Sequence, residues 1–445
     1  MCGKALHHLS PLFQARQIIS PAILFLHCQS SGRKPQALSC SRDAARENYI
    51  EKAQVPEQAL SYASPLCIAW RLLYRSEEEF PELPRIVLFL DLDYFFAQVE
   101  EVENPELRGK PLCVCVFSGR TSDSGVVSSA NYVARRFGVK AGMPIKAAKK
   151  LLPEESVILP VRLEHYATVS RQIMANLKKF NTPLRVESID EAVMDITQAV
   201  GGDYIEAEKF AKKVKEIIRA NFGLTCSIGV GPNRVIAKMA ADYSKPDGLT
   251  VVKPENVEEF LRDLPVKNLP GIGAKTETLL AEHQIKTIGD LSRQSLEKLE
   301  ELFGPKKAQY LYLASRGIYD EVIEERPPPK QLSKIVTLKR NTREVEEVME
   351  TLAAATSEAY SRLASSKFFA SKIGLIAITT RLETITRQAD IRLGATLDEV
   401  LRSLRLLLTK LLETDEKMML RRVGVRFSGL KPVSGQTSLN IFSEG

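Results

Sequence analysis

Apolar residues run unbroken from Ile86 to Leu90 and stop at Asp91, so the chain reads there as a buried strand with two carboxylates, Asp91 and Asp93, at its end. A carboxylate at the edge of a core is costly unless positive charge meets it. A strand over 111–118 follows, set among short helices and Gly/Pro turns that extend to about residue 161. The pattern then predicts a helix over 163–180, a hairpin over 185–196, a helix over 204–222 and a strand over 224–231. With the inserted stretch set aside, the order is strand–helix–strand–strand–helix–strand, the ferredoxin-like arrangement.

That topology has a chemical consequence. Its first and second strands run parallel and the third lies antiparallel between them. The end of the first strand therefore meets the turn between the second and third. Asp91 ends the first strand and Asp190–Glu191 form the turn, so three carboxylates are expected within a few ångströms.

Residues 265–291 read as a helical domain with helix–turn–helix pieces, and "EERPPPKQ" over 324–331 as a semi-rigid linker. The first element order then recurs, with helices expected over 345–363 and 397–412 between strand-like runs. No carboxylate cluster falls on this second unit, which points to binding rather than chemistry. The fold class is α+β.

At 445 residues the chain is too long for one core. No apolar stretch approaches the roughly 20 residues that span a bilayer, which argues against membrane insertion. The net charge of +7 is unevenly placed: residues 330–445 hold 19 Lys/Arg against 13 Asp/Glu. Such a surplus fits a polyanionic partner or a solvated basic face equally. Four of the seven cysteines lie in the first 84 residues, none at metal-ligand spacing, which fits a reducing, cytoplasmic setting. Those 84 residues lack periodicity, and residues 1–42 carry no acid. A transit peptide, a mis-assigned start or a disordered tail would share that composition; a dispensable extension is the expectation.

Clustered carboxylates repel and hold protons unless a cation joins them. Mg²⁺ takes oxygen ligands and keeps positions for water and substrate phosphates, and two such ions can clamp both oxygens of a phosphoryl displacement. Taken singly, each acidic motif reads more simply as a turn cap or a hairpin tip. Two of them at one sheet edge favour a metal site.

"FLDLDYFFAQVE", "SSANYVARRFGVKAGMPI", "SIDEA", "SIGVGPNRVIAKMAADYSKPDG" and "LPGIG" together resemble the Y-family DNA polymerases, most closely the archaeal DinB-type translesion enzymes. The resemblance covers residues 85–445 in order. It implies a palm over 85–94 and 162–252, fingers over 95–161, a thumb with a helix–hairpin–helix over 253–320, a linker over 321–333, and a ferredoxin-like little finger over 334–432. It makes Asp91, Asp190 and Glu191 the catalytic metal ligands, with the Leu92 carbonyl as a further one, and leaves Asp93 to support the turn. Phe96 stands at the steric gate that excludes a ribose hydroxyl. Tyr94, Phe95, Ser129, Tyr132, Arg135 and Lys245 fall at nucleotide-binding positions. The Arg and Lys charges suit the β- and γ-phosphates. Gly271 and Gly273 would let backbone N–H groups approach a DNA phosphate. Arg340, Arg343, Arg421 and Arg422 would give salt-dependent grip on duplex.

The expected activity is a template-directed, low-fidelity translesion DNA polymerase. It would join dNTPs to a primer 3′-hydroxyl with two Mg²⁺ ions and release pyrophosphate. Small residues at Ser128, Ser129 and Ala130 point to an open site. Two rivals share features: an inactive DNA-binding scaffold, disfavoured by the intact carboxylates, and a nucleotidyl cyclase, in which the "PGIG" segment and basic last unit would have no purpose. The protein is expected to act as a monomer on primer–template DNA. Gln436, Leu439 and Phe442, spaced Q-x-x-L-x-x-F in a tail over 433–445, resemble a contact for a PCNA-like sliding clamp.

Overall fold

The structure is a computed structural model and describes residues 83–433; the N-terminal extension to residue 82 and the tail carrying Gln436, Leu439 and Phe442 lie outside the described residues. The first strand, β1 (Val87–Leu92), leads into helix α1 (Phe95–Glu103). Next come β2 (Leu112–Phe117), β3 (Gly125–Ala130), α2 (Tyr132–Arg136), α3 (Ile145–Leu151) and β4 (Val157–Pro160). The chain continues with α4 (Leu163–Lys178), β5 (Leu184–Val186), β6 (Glu191–Asp195), α5 (Tyr204–Phe222), β7 (Cys226–Gly231), α6 (Arg234–Tyr243) and β8 (Leu249–Val251).

Strands β5-β6-β1-β7-β8 form one sheet, with β1 at its centre and antiparallel to both neighbours. The first four of these in sheet order have the ferredoxin-like arrangement. β8 adds a fifth strand, parallel to β7, that periodicity does not announce because it is only three residues long. Successive β1 side chains point to opposite faces. Leu88, Leu90 and Leu92 bury into a core with Ile173 and Leu177 of α4 and Ala207, Val214 and Ile218 of α5. Val87 and Phe89 face the other way, onto Ala237 and Ala241 of α6. Asp91 shares that second face. Helix α6 crosses β7 so closely that a Cβ on Gly229 would lie 2.0 Å from the Ala237 carbonyl oxygen. Phe95, Ala97 and Val99 of α1 join the same core as β1.

Between α1 and α4 a smaller sheet, β3-β2-β4, packs Cys113, Cys115 and Val127 against Ala134 of α2 and Ile145 and Ala148 of α3. Beyond β8 five helices follow: α7 (Val257–Arg262), α8 (Ala274–Glu282), α9 (Ile288–Ser292), α10 (Leu296–Phe303) and α11 (Pro305–Ala314). Their core continues into Val235, Ile236 and Met239 of α6, so the helical unit is seated on the helix that covers the first sheet.

The last unit runs β9 (Gln331–Thr342), α12 (Val345–Ser365), β10 (Phe368–Thr379), β11 (Thr384–Asp390), α13 (Leu397–Glu413) and β12 (Leu420–Pro432). The ferredoxin-like element order recurs. The spatial order does not, since the sheet reads β11-β10-β12-β9 and leaves the first strand at an edge. The segment before it is tied to the first sheet by charge. Arg185 reaches both Glu187 and Glu321, Arg234 reaches Glu321 at 2.7 Å, Arg326 reaches Glu187, and Lys178 reaches Glu325 at 2.6 Å. Arg120, from the turn between β2 and β3, donates to the Leu338 carbonyl at 2.6 Å and the Arg421 carbonyl at 3.2 Å, beside a β-bulge in the last sheet. No helix among the described residues is long and apolar enough to cross a membrane.

Candidate active site

The central position of β1 fixes where its carboxylate goes. Asp91 lies opposite Glu191 on β6 and Ser227 on β7, and the Leu92 amide donates to the Asp190 carbonyl at 2.9 Å. The backbone therefore brings Asp91, Asp190 and Glu191 to one sheet edge, as the topology requires. Each side chain meets a flanking donor: Asp91 pairs with Lys245 Nζ at 2.5 Å, Asp190 accepts from the Ser188 hydroxyl at 2.5 Å, and Glu191 pairs with Lys238. Among the described residues no group of three or more His, Cys, Asp or Glu side chains is gathered as for a metal ion. Carboxylates so placed repel unless positive charge or hydrogen-bond donors meet them, which these three partners do.

These contacts also test whether a cation belongs there. Burial pushes the Asp91 carboxyl up to about 6, even though Lys245 beside it favours the charged form; Asp190 adds to the rise. A buried carboxylate so placed calls for positive charge, which the two lysines supply from the flank. All the donors are oxygens, the set that hard divalent cations take. The residues fit such an ion.

A cavity of about 210 Å³ opens over this edge. Asp91, Leu92, Asp190 and Lys245 line one side, Tyr94, Phe95 and Phe96 the middle, and Ser128, Ser129, Tyr132, Arg135 and Ala141 the other side. Every residue expected to touch the nucleotide is on its wall. Tyr94 takes the left-handed backbone region (φ 35°) that turns β1 into α1, and the Ser129 hydroxyl donates to its carbonyl at 3.1 Å. Tyr132 packs edge-on against Tyr94 with ring centroids 5.2 Å apart. The Arg135 guanidinium lies 4.8 Å from the Tyr132 ring centroid and donates from Nε to the Ala130 carbonyl at 2.9 Å. Phe96 is stacked on Tyr166 with centroids 4.4 Å apart and planes 15° from parallel. Tyr166 is itself anchored, its hydroxyl donating to Glu100, which Arg162 grips at 2.9 and 2.7 Å.

Asp93 has the supporting place expected of it. It is only 1% exposed and accepts from Thr225 Oγ1 at 2.8 Å, Ser227 Oγ at 2.7 Å and the Asp247 amide at 2.8 Å. These bonds pin the loop bearing Lys245 to the end of β1.

Residues expected to meet DNA lie away from this cavity. Gly271 (φ 88°) and Gly273, which precedes α8, are both exposed, and a Cβ on Gly273 would meet nothing within 4 Å. Arg421 and Arg422 are exposed on β12. Arg340 is paired with Glu347 at 2.9 Å, and Arg343 donates to carbonyls of Leu412 and Glu416 at the end of α13. The Arg343 side chain thus caps a helix in this arrangement rather than standing free. Lys238, Asp242, Glu101 and Tyr166 are neighbours of the site that sequence reasoning missed.

The impB/mucB/samB family profile matches residues 90–242, the thumb domain of DNA polymerase-iota matches 267–319, and the impB/mucB/samB family C-terminal domain matches 329–441. DNA polymerase IV of Nitrosopumilus maritimus is 39% identical over 361 residues, which are 80% of this chain and 99% of the relative. DNA polymerase IV of Saccharolobus solfataricus is 43% identical over 343 residues, 77% of this chain and 96% of that one. Among solved structures, the Y-family DNA polymerase chimera Dbh-Dpo4(243-245)-Dbh superimposes with a TM-score of 0.73 at 38% identity, covering 78% of this chain and 99% of its own. An insertion ternary complex of Dbh DNA polymerase gives 0.57 at 38% identity, covering 77% and 98%. A palm-like sheet edged with carboxylates, an inserted unit closing over it and a helical unit behind it define a nucleotidyl-transfer architecture. The chain belongs to the impB/mucB/samB family, the Y-family DNA polymerases.

Proposed function

We propose that this chain, a DNA-directed DNA polymerase of the Y-family, copies damaged templates with low fidelity by extending a primer one dNTP at a time. One observation carries the reading. Asp91 and Glu191 face each other in register at the end of the central strand, and Asp91 lines a cavity walled also by Phe96, Tyr132, Arg135 and Lys245.

In the reaction the primer 3′-oxygen bonds to the α-phosphorus, the bond to the β-phosphate oxygen breaks, and pyrophosphate leaves with the electron pair. Asp91, Asp190, Glu191 and the Leu92 carbonyl would hold two Mg²⁺ ions, which lower the pKa of the attacking hydroxyl and neutralise the leaving oxygen. Arg135 and Tyr132 orient the triphosphate from the inserted unit. Lys245, which pairs with Asp91 at 2.5 Å, would supply positive charge to the β- and γ-phosphates. Phe96 presses on the sugar and leaves no room for a 2′-hydroxyl. Gly271 and Gly273 admit a backbone phosphate, and the arginines of the last unit hold duplex without reading bases. The cavity's small walls at Ser128 and Ser129 leave room for a distorted template base. The tail residues Gln436, Leu439 and Phe442 fit a sliding-clamp contact by their spacing, and the polymerase works as a cytoplasmic monomer between such tetherings.

Primer extension tests the reading. Asp190→Ala and Glu191→Ala each lose most phosphoryl transfer while DNA binding stays close to that of the parent chain, because the charge they stabilise develops at the transition state. Near-normal extension by either variant refutes the assignment.

A further inference from the structure

Glu101, in the last turn of α1, is buried and makes no ion pair among the described residues. A buried charge without a counter-charge persists only if hydrogen bonds hold it. Both of its oxygens are held: Oε2 accepts from the Tyr94 hydroxyl at 3.0 Å and Oε1 from Asn131 Nδ2 at 2.7 Å. Tyr94 lines the nucleotide cavity, and Asn131 immediately precedes Tyr132, which lines it too. Tyr94 is the left-handed residue at the end of the catalytic strand. Asn131 caps α2, accepting from the Ala134 amide at 2.9 Å and the Leu112 amide at 3.1 Å, and it also donates to the Lys110 carbonyl at 2.8 Å. Helix α2 carries Tyr132 and Arg135. Glu101 lines no part of the cavity itself.

We propose that Glu101 is a positioning residue for the incoming nucleotide: its carboxylate bridges Tyr94 on the catalytic sheet to Asn131 on the inserted unit, and so sets where Tyr132 and Arg135 stand over the metal-ligand edge. The proposal rests on the reading of Tyr132 and Arg135 as triphosphate contacts. A carboxylate suits the task because each oxygen accepts independently, so one side chain satisfies two donors that approach from different units. The other polar link across this seam, from the Ser129 hydroxyl to the Tyr94 carbonyl, does not reach α2. With Glu101 removed, Asn131 keeps its bonds to the Leu112 and Ala134 amides and the Lys110 carbonyl, but the side-chain link between the cap of α2 and Tyr94 is lost.

Steady-state primer extension on full-length Glu101→Leu, Glu101→Gln and Arg135→Ala variants tests this. Glu101→Leu raises KM for dNTP by about tenfold and changes kcat by less than about threefold, with the Kd for primer–template DNA unchanged, because misplacing a binding group weakens ground-state grip on the nucleotide alone. Glu101→Gln stays within about threefold of the parent, since its amide oxygen still accepts from Asn131 and its NH₂ donates to the Tyr94 oxygen. A KM within twofold of the parent in a cooperatively melting Glu101→Leu, or equal impairment of Glu101→Gln and Glu101→Leu, overturns the proposal. A KM that rises in Arg135→Ala but not in Glu101→Leu overturns the positioning role alone. A KM unmoved in both overturns the nucleotide-contact reading beneath it as well. Should Glu101→Leu fail to fold, Tyr94→Phe removes one of the two donors, and an unchanged KM there refutes the bridge.

Discussion

The effect of replacing Asp93 by alanine can be worked from the three bonds its carboxylate accepts. Thr225 Oγ1, Ser227 Oγ and the Asp247 amide all lose their acceptor, and Ser227 is fully buried. A buried donor left unsatisfied costs roughly 1–3 kcal/mol, and relief from burying the charge offsets part of the sum, so the net destabilisation is about 3–5 kcal/mol. Asparagine should behave differently. Its carbonyl oxygen can take the position of Oδ2 and accept from both Thr225 and Asp247, while its NH₂ replaces Oδ1 and donates to Ser227, whose hydroxyl then reverses. That variant should cost only about 1 kcal/mol. Urea denaturation of the two variants reads the difference as a shift in midpoint at constant slope. Primer extension adds a functional readout, because the loop pinned by Asp93 carries Lys245; the alanine variant should show a raised KM for dNTP, and the asparagine variant little change. Equal loss of stability in both variants, or a cost below about 1 kcal/mol for alanine, refutes the hydrogen-bond account.

Other outcomes follow from the same geometry. Phe96→Ala opens space at the sugar, so the ratio of kcat/KM for rNTP over dNTP should rise by at least about tenfold; a ratio unchanged from the parent makes Phe96 a core residue only. Asp91 must be deprotonated to bind a cation, and its carboxyl is pushed up to about 6. Mn²⁺ affinity, followed by calorimetry on the DNA-free chain, should therefore fall about tenfold per pH unit below that value and level off above it. An affinity flat from about pH 5 to pH 7 would remove Asp91 from the ligand set. Deleting residues 436–445 should leave distributive synthesis intact and abolish stimulation by a sliding clamp; stimulation that survives places the contact elsewhere.

Much of this was legible in the sequence, for physical reasons that differ by element. Helix α5 matches its expected span over 204–222 because its apolar period and flanking Asp203 and Gly223 caps are local signals. The meeting of Asp91 with Asp190–Glu191 followed from topology, since strand order alone decides which ends share an edge. The direction of each carboxylate did not follow. It depends on Lys245 for Asp91, on Lys238 for Glu191 and on the Ser188 hydroxyl for Asp190. Glu101 and Tyr166 were invisible for the same reason: each has a partner 30 or more residues away in sequence, Asn131 and Glu100, and no periodicity encodes a buried hydrogen bond. The last unit's strand order was hidden as well, because one sequence of elements is compatible with more than one way of laying strands side by side.

The placement of β1 separates two kinds of change open to this protein. Held by a neighbour on each side, the strand gives its terminal carboxylate little slack, and a one-residue slip in register would turn Asp91 into the opposite core. The chemistry thus stands on bedrock. The cavity walls beyond that edge come largely from a stretch inserted between the first strand and the rest of its sheet, which shares Leu107, Leu112 and Val114 with the core beneath. Substitutions in that insertion can reshape which nucleotides and templates are accepted while the bond-forming step is left untouched. A lineage exploring new lesions could therefore diversify its tastes without risking its trade.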